Sequence, residues 1–221
     1  MRVKLSLAAA AIASLISVGA HADVLGVKLG LDLQQNSVDG NVRGSGAGWD
    51  DSYRFSGYVA FEHFIPLLPN LMVRHNQQEA DGNGSLSADL TNTDFIAYYE
   101  LLDNGAVELD LGANYRIYSG KLNDGGFNSD DLDDGILLAY AKGQVNLVGT
   151  GLFIYTDVSV GKYDDKDISD YQLGLGWELD MLPLNLAVKG GYRQHSFDVS
   201  RWGTNADLEF SGVFAGVELS F

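Results

Sequence analysis

The 221-residue chain contains no cysteine. No disulfide can staple it, so a core or a lipid contact must hold the fold alone. Long apolar runs are scarce. Beyond the first two dozen residues, no stretch approaches the length of about 18 apolar residues that a membrane-crossing helix needs. Basic residues are few: 14 Lys and Arg stand against 30 Asp and Glu, a formal net charge of −16. Phosphate backbones are bound by basic patches, so nucleic acid is excluded as a partner. An acidic surface by itself is also ordinary for a soluble protein. Finally, no connecting segment carries a helical pattern long enough for a crossover. Neighbouring strands should therefore be antiparallel.

What is present begins with "MRVKLSLAAAAIASLISVGAHAD". Arg2 and Lys4 precede an apolar run from Leu5 to Val18. Ala20-His21-Ala22 then forms an A-x-A cleavage site. This is the pattern of a secretory signal peptide over residues 1–22. The mature chain is expected to start at Asp23. Both leader charges are basic, so cleavage deepens the acidity.

Strand signals fill the remainder. In "LGVKLGLDLQ", Leu25, Val27, Leu29, Leu31 and Leu33 alternate with Gly26, Lys28, Gly30 and Asp32. "VELDLGANYRIYS", "YQLGLGWEL" and "LNLAVKGGYR" split the same way. Strict alternation gives a strand with two unlike faces. Ten strands are expected near 24–34, 53–64, 70–78, 93–102, 106–118, 135–146, 151–161, 169–179, 184–197 and 207–221. The third alternates poorly, and the sixth has ambiguous faces; eight strands is the alternative. Connections alternate between long and short. "QNSVDGNVRGSGAGWDD", "QEADGNGSLSADLTN" and "SGKLNDGGFNSDDLDD" are long, while "IPLLPN", "DNG", "LVGT" and "DMLP" are tight. Asn104-Gly105 is a hairpin signal.

Ten short amphipathic strands fit a soluble sandwich, or a closed barrel with its apolar face in lipid. Lipid offers no hydrogen bonds, so a sheet there must close. Three features favour the barrel. The polar face carries charges of both signs, able to pair across a lumen: Lys28, Asp32, Arg54, Glu62, Arg74, Glu100, Glu108, Asp110, Arg116, Lys142, Glu178, Lys189, Arg193, Glu209 and Glu218. Glycines on that face leave room for long side chains. The long–short alternation of connections suits an outer-membrane barrel, with acids such as "DDLDD" and "DDKD" in the long loops. Aromatics near strand ends suit interfacial girdles: Tyr53, Phe55, Phe64, Tyr98, Tyr99, Tyr118, Tyr155, Tyr171, Trp177, Tyr192 and Phe197.

The chain closes on "SGVFAGVELSF", with Val213, Ala215, Val217, Leu219 and Phe221 at every second position. This resembles the terminal strand of Gram-negative outer-membrane β-barrels. The resemblance implies recognition of that strand, up to Phe221, by the barrel assembly machinery. "VKGGYR" at 188–193 is similar to a family of small proteobacterial outer-membrane barrels named for a Gly-Gly pair, which implies no activity.

Catalytic chemistry is searched for and not assigned. His195-Ser196 invites comparison with lipid-A deacylase barrels, but adjacent strand residues point to opposite faces. Outer-membrane proteases use Asp and His at the outer rim, whereas His63 and His75 read as lying near the inner turn "IPLLPN". "NSDDLDDG" and "YDDKDISD" lack EF-hand spacing. "GSGAG" lacks the Lys and helix of a phosphate loop. No catalytic, cofactor or metal residue is named.

The expectation is thus an all-β protein: a signal peptide over 1–22, then a transmembrane up-and-down antiparallel barrel over 23–221. It should be a non-enzymatic outer-membrane protein with a narrow, charged, plugged lumen, serving as envelope scaffold or minor small-solute channel. The alternative is a surface interaction protein using acidic outer loops for adhesion, divalent cations or lipopolysaccharide. A lipid-modifying enzyme is a distant third. Partners are membrane lipids, lipopolysaccharide and the assembly machinery; oligomeric state is not legible.

Overall fold

The structure is a computed structural model. It describes residues 25–221 except 46–47, 66, 127–128, 164–165, 182–183 and 202–203. The leader expected over 1–22 lies outside the described residues.

Among the described residues, twelve strands form one sheet: β1 (Leu25–Val42), β2 (Ser52–His63), β3 (Asn70–Asn76), β4 (Glu79–Asp81), β5 (Leu86–Asp89), β6 (Asn92–Asp103), β7 (Val107–Asp124), β8 (Ser129–Leu147), β9 (Leu152–Tyr163), β10 (Lys166–Met181), β11 (Leu184–Arg201) and β12 (Thr204–Ser220). All pairings are antiparallel, and β1 pairs with β12, from Lys28↔Ser220 to Val42↔Ala206. Val27 and Phe221 exchange two further backbone hydrogen bonds, at 2.8 and 3.1 Å. The sheet closes on itself as a ten-stranded barrel, so no edge is left for lipid to strand. All ten expected strands are present. No described helix is long and apolar enough to cross a membrane.

The strands are longer than expected, and the excess lies on the side of the long connections. β1 runs on to Val42, β7 to Asp124, and β8 starts at Ser129. "DDLDD" is therefore entirely strand, with Leu132 buried inside and Asp131 exposed outside. β4 and β5 were not foreseen. They continue β3 and β6 upward: Leu90 N–H donates to Gln78 C=O at 2.7 Å, and β5 pairs with the upper part of β7 from Leu86↔Asp124 to Asp89↔Lys121. The "LSADL" alternation was the missed signal.

One parity holds along each strand, but the chemistry of the two faces swaps part-way. On β1 the outward row starts Leu25, Val27, Leu29, Leu31, Leu33 and continues Gln35, Ser37, Asp39, Asn41. The inward row starts Lys28 and Asp32, passes Gln34 and Asn36, and ends in buried Val38 and Val42. β12 does the same, with Glu218 inside at one end and Phe210, Leu208 and Ala206 inside at the other. The lower tube is a membrane barrel, greasy outside and polar within. The upper tube is built like a water-soluble barrel, with a dry core that includes Val42, Leu90, Leu122, Leu132, Phe197 and Phe210. Tyr53, Tyr171 and Tyr192 are the last apolar residues of the outer face before it turns polar, as interfacial aromatics should be.

Two assignments are corrected by the inward and outward rows. Tyr98, Tyr118, Tyr155 and Phe197 do not belong to a girdle; they are 2, 0, 5 and 0% exposed, inside the barrel. Glu209 does not face the lumen. It sits on the outward row of β12, opposite Asp39, above the apolar belt.

Candidate functional site

The candidate site is the lumen. Every second residue of each strand points into it, and the narrow bore forces these side chains to meet across it. At mid-height three arginines and three aspartates form a belt. Arg116 on β7 grips Asp94 on β6 with two hydrogen bonds, Nε to Oδ1 at 2.6 Å and Nη2 to Oδ2 at 2.9 Å. The same Nη2 reaches Asp170 on β10 at 2.7 Å. Arg193 on β11 holds Asp170 in a second fork, at 2.9 and 2.7 Å. Arg74 on β3 bridges Asp94 at 3.0 Å and Asp157 on β9 at 2.9 Å. Tyr140 donates to the other Asp157 oxygen at 2.9 Å. Forked Arg–carboxylate pairs are the strongest and most directional of ion pairs. Charge balances within the belt, which is what its burial requires. Arg116 and Asp94 have fully buried side chains.

Amides extend the belt. Arg193 Nη1 donates to Asn76 Oδ1 at 2.9 Å, and Asn76 donates to Asn92 Oδ1 at 2.8 Å. His195, fully buried, accepts at Nε2 from the Tyr118 hydroxyl at 3.0 Å. Its Nδ1 lies 2.5 Å from Gln78 Oε1, so that nitrogen carries the proton. Above this layer begins the dry core. Trp49 packs on it, with its indole N–H bonded to Gly40 C=O at 3.0 Å.

Below the belt the lumen is a chamber facing the short turns. A cavity of about 40 Å³ touches Arg74 and Asp157 of the belt, and a second of about 90 Å³ lies at the mouth. Lys28–Glu62 at 2.8 Å and Lys189–Glu218 at 3.1 Å line its wall, each joining two neighbouring strands. The Tyr58 hydroxyl is hydrogen-bonded to Glu218 and receives a bond from Lys189. Tyr58 fits because Gly30 faces it: a β-carbon on Gly30 would collide with the ring. Phe153 fills the same kind of gap at Gly176. Asp32 Oδ1 and the Tyr155 hydroxyl are buried without a protein partner. Buried polar atoms of this kind are satisfied by water.

The sequence reading named Arg74, Arg116 and Arg193 on the polar face, and the structure joins them. It missed Asp94, Asp157 and Asp170, although each occupies an inward position in its strand. His195 and Ser196 are separated by the wall, His195 inside and Ser196 on the outward row. His63 lies beside the turn at 64–69, as expected. His75 does not; it is near the far end of β3, on the outer face, with Nδ1 3.0 Å from the Thr93 hydroxyl. Among the described residues, no three His or acidic side chains converge to hold a metal.

A family model described as "Outer membrane protein beta-barrel domain" matches residues 6–221. The sequence matches no curated protein. Among solved structures, outer membrane protease OmpT of Escherichia coli is 10% identical with a TM-score of 0.43, covering 91% of this chain and 98% of that one. Neisserial surface protein A is 14% identical with a TM-score of 0.34, over 89% and 97%. OprG of Pseudomonas aeruginosa is 12% identical with a TM-score of 0.28, over 92% and 98%.

Proposed function

From a chain that belongs to the outer membrane protein β-barrel family, we propose an integral outer-membrane barrel that acts as a closed, non-enzymatic envelope scaffold. The observation that supports this most is the double closure of the lumen. A solute arriving from the chamber meets the Arg116 belt first and the dry upper core next. Either alone would stop an ion; hydration is lost at both. His195 is sealed in the belt and His75 faces outward, so neither can serve a solute in the chamber. Conductance in planar bilayers tests the reading. The purified barrel should be silent at moderate voltage; a steady unitary current would overturn it.

A second role is supported by the outer wall above the apolar belt. Asp39 and Glu209 stand directly opposite each other on paired strands, both outward. Like charges so placed repel. Divalent cations shared with lipopolysaccharide phosphates would relieve this. Magnesium should then raise the unfolding temperature in lipopolysaccharide-containing membranes, and Asp39→Asn with Glu209→Gln should abolish the increase.

The outward row Val213, Ala215, Val217 and Leu219, with Phe221, is proposed as the element read by the assembly machinery. Phe221→Ser should lower the yield of inserted barrel in cells while leaving refolding in detergent unchanged.

A further inference from the structure

The short turns are not alike. The one at 103–106 reads Asp-Asn-Gly-Ala, and the one at 148–151 reads Val-Gly-Thr-Gly. Between β2 and β3, the described residues Phe64, Ile65, Leu67 and Leu68 are all apolar. They are 66, 46, 89 and 53% exposed. Leu67 also sits at φ 71°, in the left-handed region that a side chain with a β-carbon disfavours. Strain at an apolar tip that gains no packing inside the molecule points to a contact outside it.

The direction of the turn narrows that contact. Tyr99 lies on the outward face of β6, and its hydroxyl donates to Leu67 C=O at 2.9 Å. The tip is thus tied back against the outer wall and away from the mouth of the lumen. Its base is fixed by His63 N–H donating to Asn70 Oδ1 at 2.9 Å. Beside it, β6 shifts register between Glu100 and Leu102, which leaves Leu101 and Leu102 both exposed, at 55 and 48%. The surface continues without a charge into the lipid-facing residues Phe61, Leu71 and Val73 of the same two strands.

We propose that Phe64, Ile65, Leu67 and Leu68, with Leu101 and Leu102, form a foot that inserts into the membrane leaflet on the short-turn side. Its side chains lie at the boundary of headgroups and acyl chains. The occupant is lipid because the patch extends the apolar belt and turns away from the charged mouth, where a periplasmic protein would dock. Apolar side chains presented at this depth are bound by the bilayer interface in proportion to the area they bury.

The cysteine-free chain makes the test direct. Leu67→Cys, Ile65→Cys, Thr150→Cys and Leu173→Cys each carry one environment-sensitive fluorophore, on the full barrel in phospholipid vesicles. Each variant is first confirmed as folded by its gel shift on heating. The label at 173, in the middle of the belt, should be quenched by nitroxide-bearing lipid and spared by iodide; failure there would refute the membrane reading itself. The label at 150 should be quenched by iodide. The foot predicts that labels at 67 and 65 behave like 173. Iodide quenching at 67 and 65 equal to that at 150 would overturn it. Shielding from both quenchers would also overturn it, because protein would then cover the turn.

Discussion

Arg116 and Asp170 bridge the lumen at 2.7 Å from β7 and β10, strands held apart in the wall by two others. Neither side chain is more than 4% exposed. The contact ties the wall to itself across its bore. Its partners on each side, Asp94 and Arg193, make the bridge a chain of four charges.

Breaking this chain at one point should cost more than removing a link pair. Arg116→Met leaves Asp94 and Asp170 short of a buried counter-charge. The expected destabilisation is about 3–5 kcal/mol, read from urea unfolding in detergent. Arg116→Met with Asp94→Asn should recover part of it. If the single variant unfolds at the wild-type urea concentration, the belt is not a stabilising structure.

The same variant addresses closure. With the belt loosened, the dry upper core remains, so Arg116→Met should stay silent in a planar bilayer. Only the combination with Leu208→Ser and Phe210→Ser should pass current. Conductance from Arg116→Met alone would show that the upper core is no barrier.

The two solvents of the outer face can be separated on one strand. Leu31 and Asp39 are both outward on β1. Leu31→Arg places a charge in the apolar belt and should cost about 2–4 kcal/mol in bilayers. Asp39→Arg should show no such loss, since it replaces a repulsion with Glu209 by an attraction. Equal losses at both positions would place the membrane boundary elsewhere.

In the upper core, Phe210 is fully buried. Phe210→Ala should cost about 3–5 kcal/mol, as for an aromatic removed from a soluble core. In the lower lumen, Gly30→Val should cost about 1–3 kcal/mol by overpacking. It evicts the Tyr58 ring, and with it the bonds to Glu218 and Lys189. Tyr58→Ala in the Gly30→Val background should restore some of the loss.

Much of this was written in the sequence. Alternation with period two gave ten strands, and the uneven connections gave the two ends. Alternation does not say which face is inside, however, and here the answer changes along a strand. Tyr118 and Phe197 read as a girdle because aromatic residues at strand ends serve both in lipid interfaces and in dry cores. "DDLDD" looked like loop because outward acids are rare in a membrane strand; they are normal once the strand has left the membrane. The belt's partners were hidden for another reason. Arg74 meets Asp157, 83 residues away on a strand that it does not touch in the sheet. Only closure of the barrel, with its particular stagger, brings them together.

The swap of polarity along β1 and β12 acts as a double index mark. Slide either ribbon by two positions along its neighbours and the alternation still matches, so a simple membrane barrel would tolerate the error. Here the slip would push Gln35 or Ser211 into oil on the outer face while pulling Val38 or Phe210 out of shelter on the inner one. Correct stagger is thereby checked twice over, at two heights, by two different liquids.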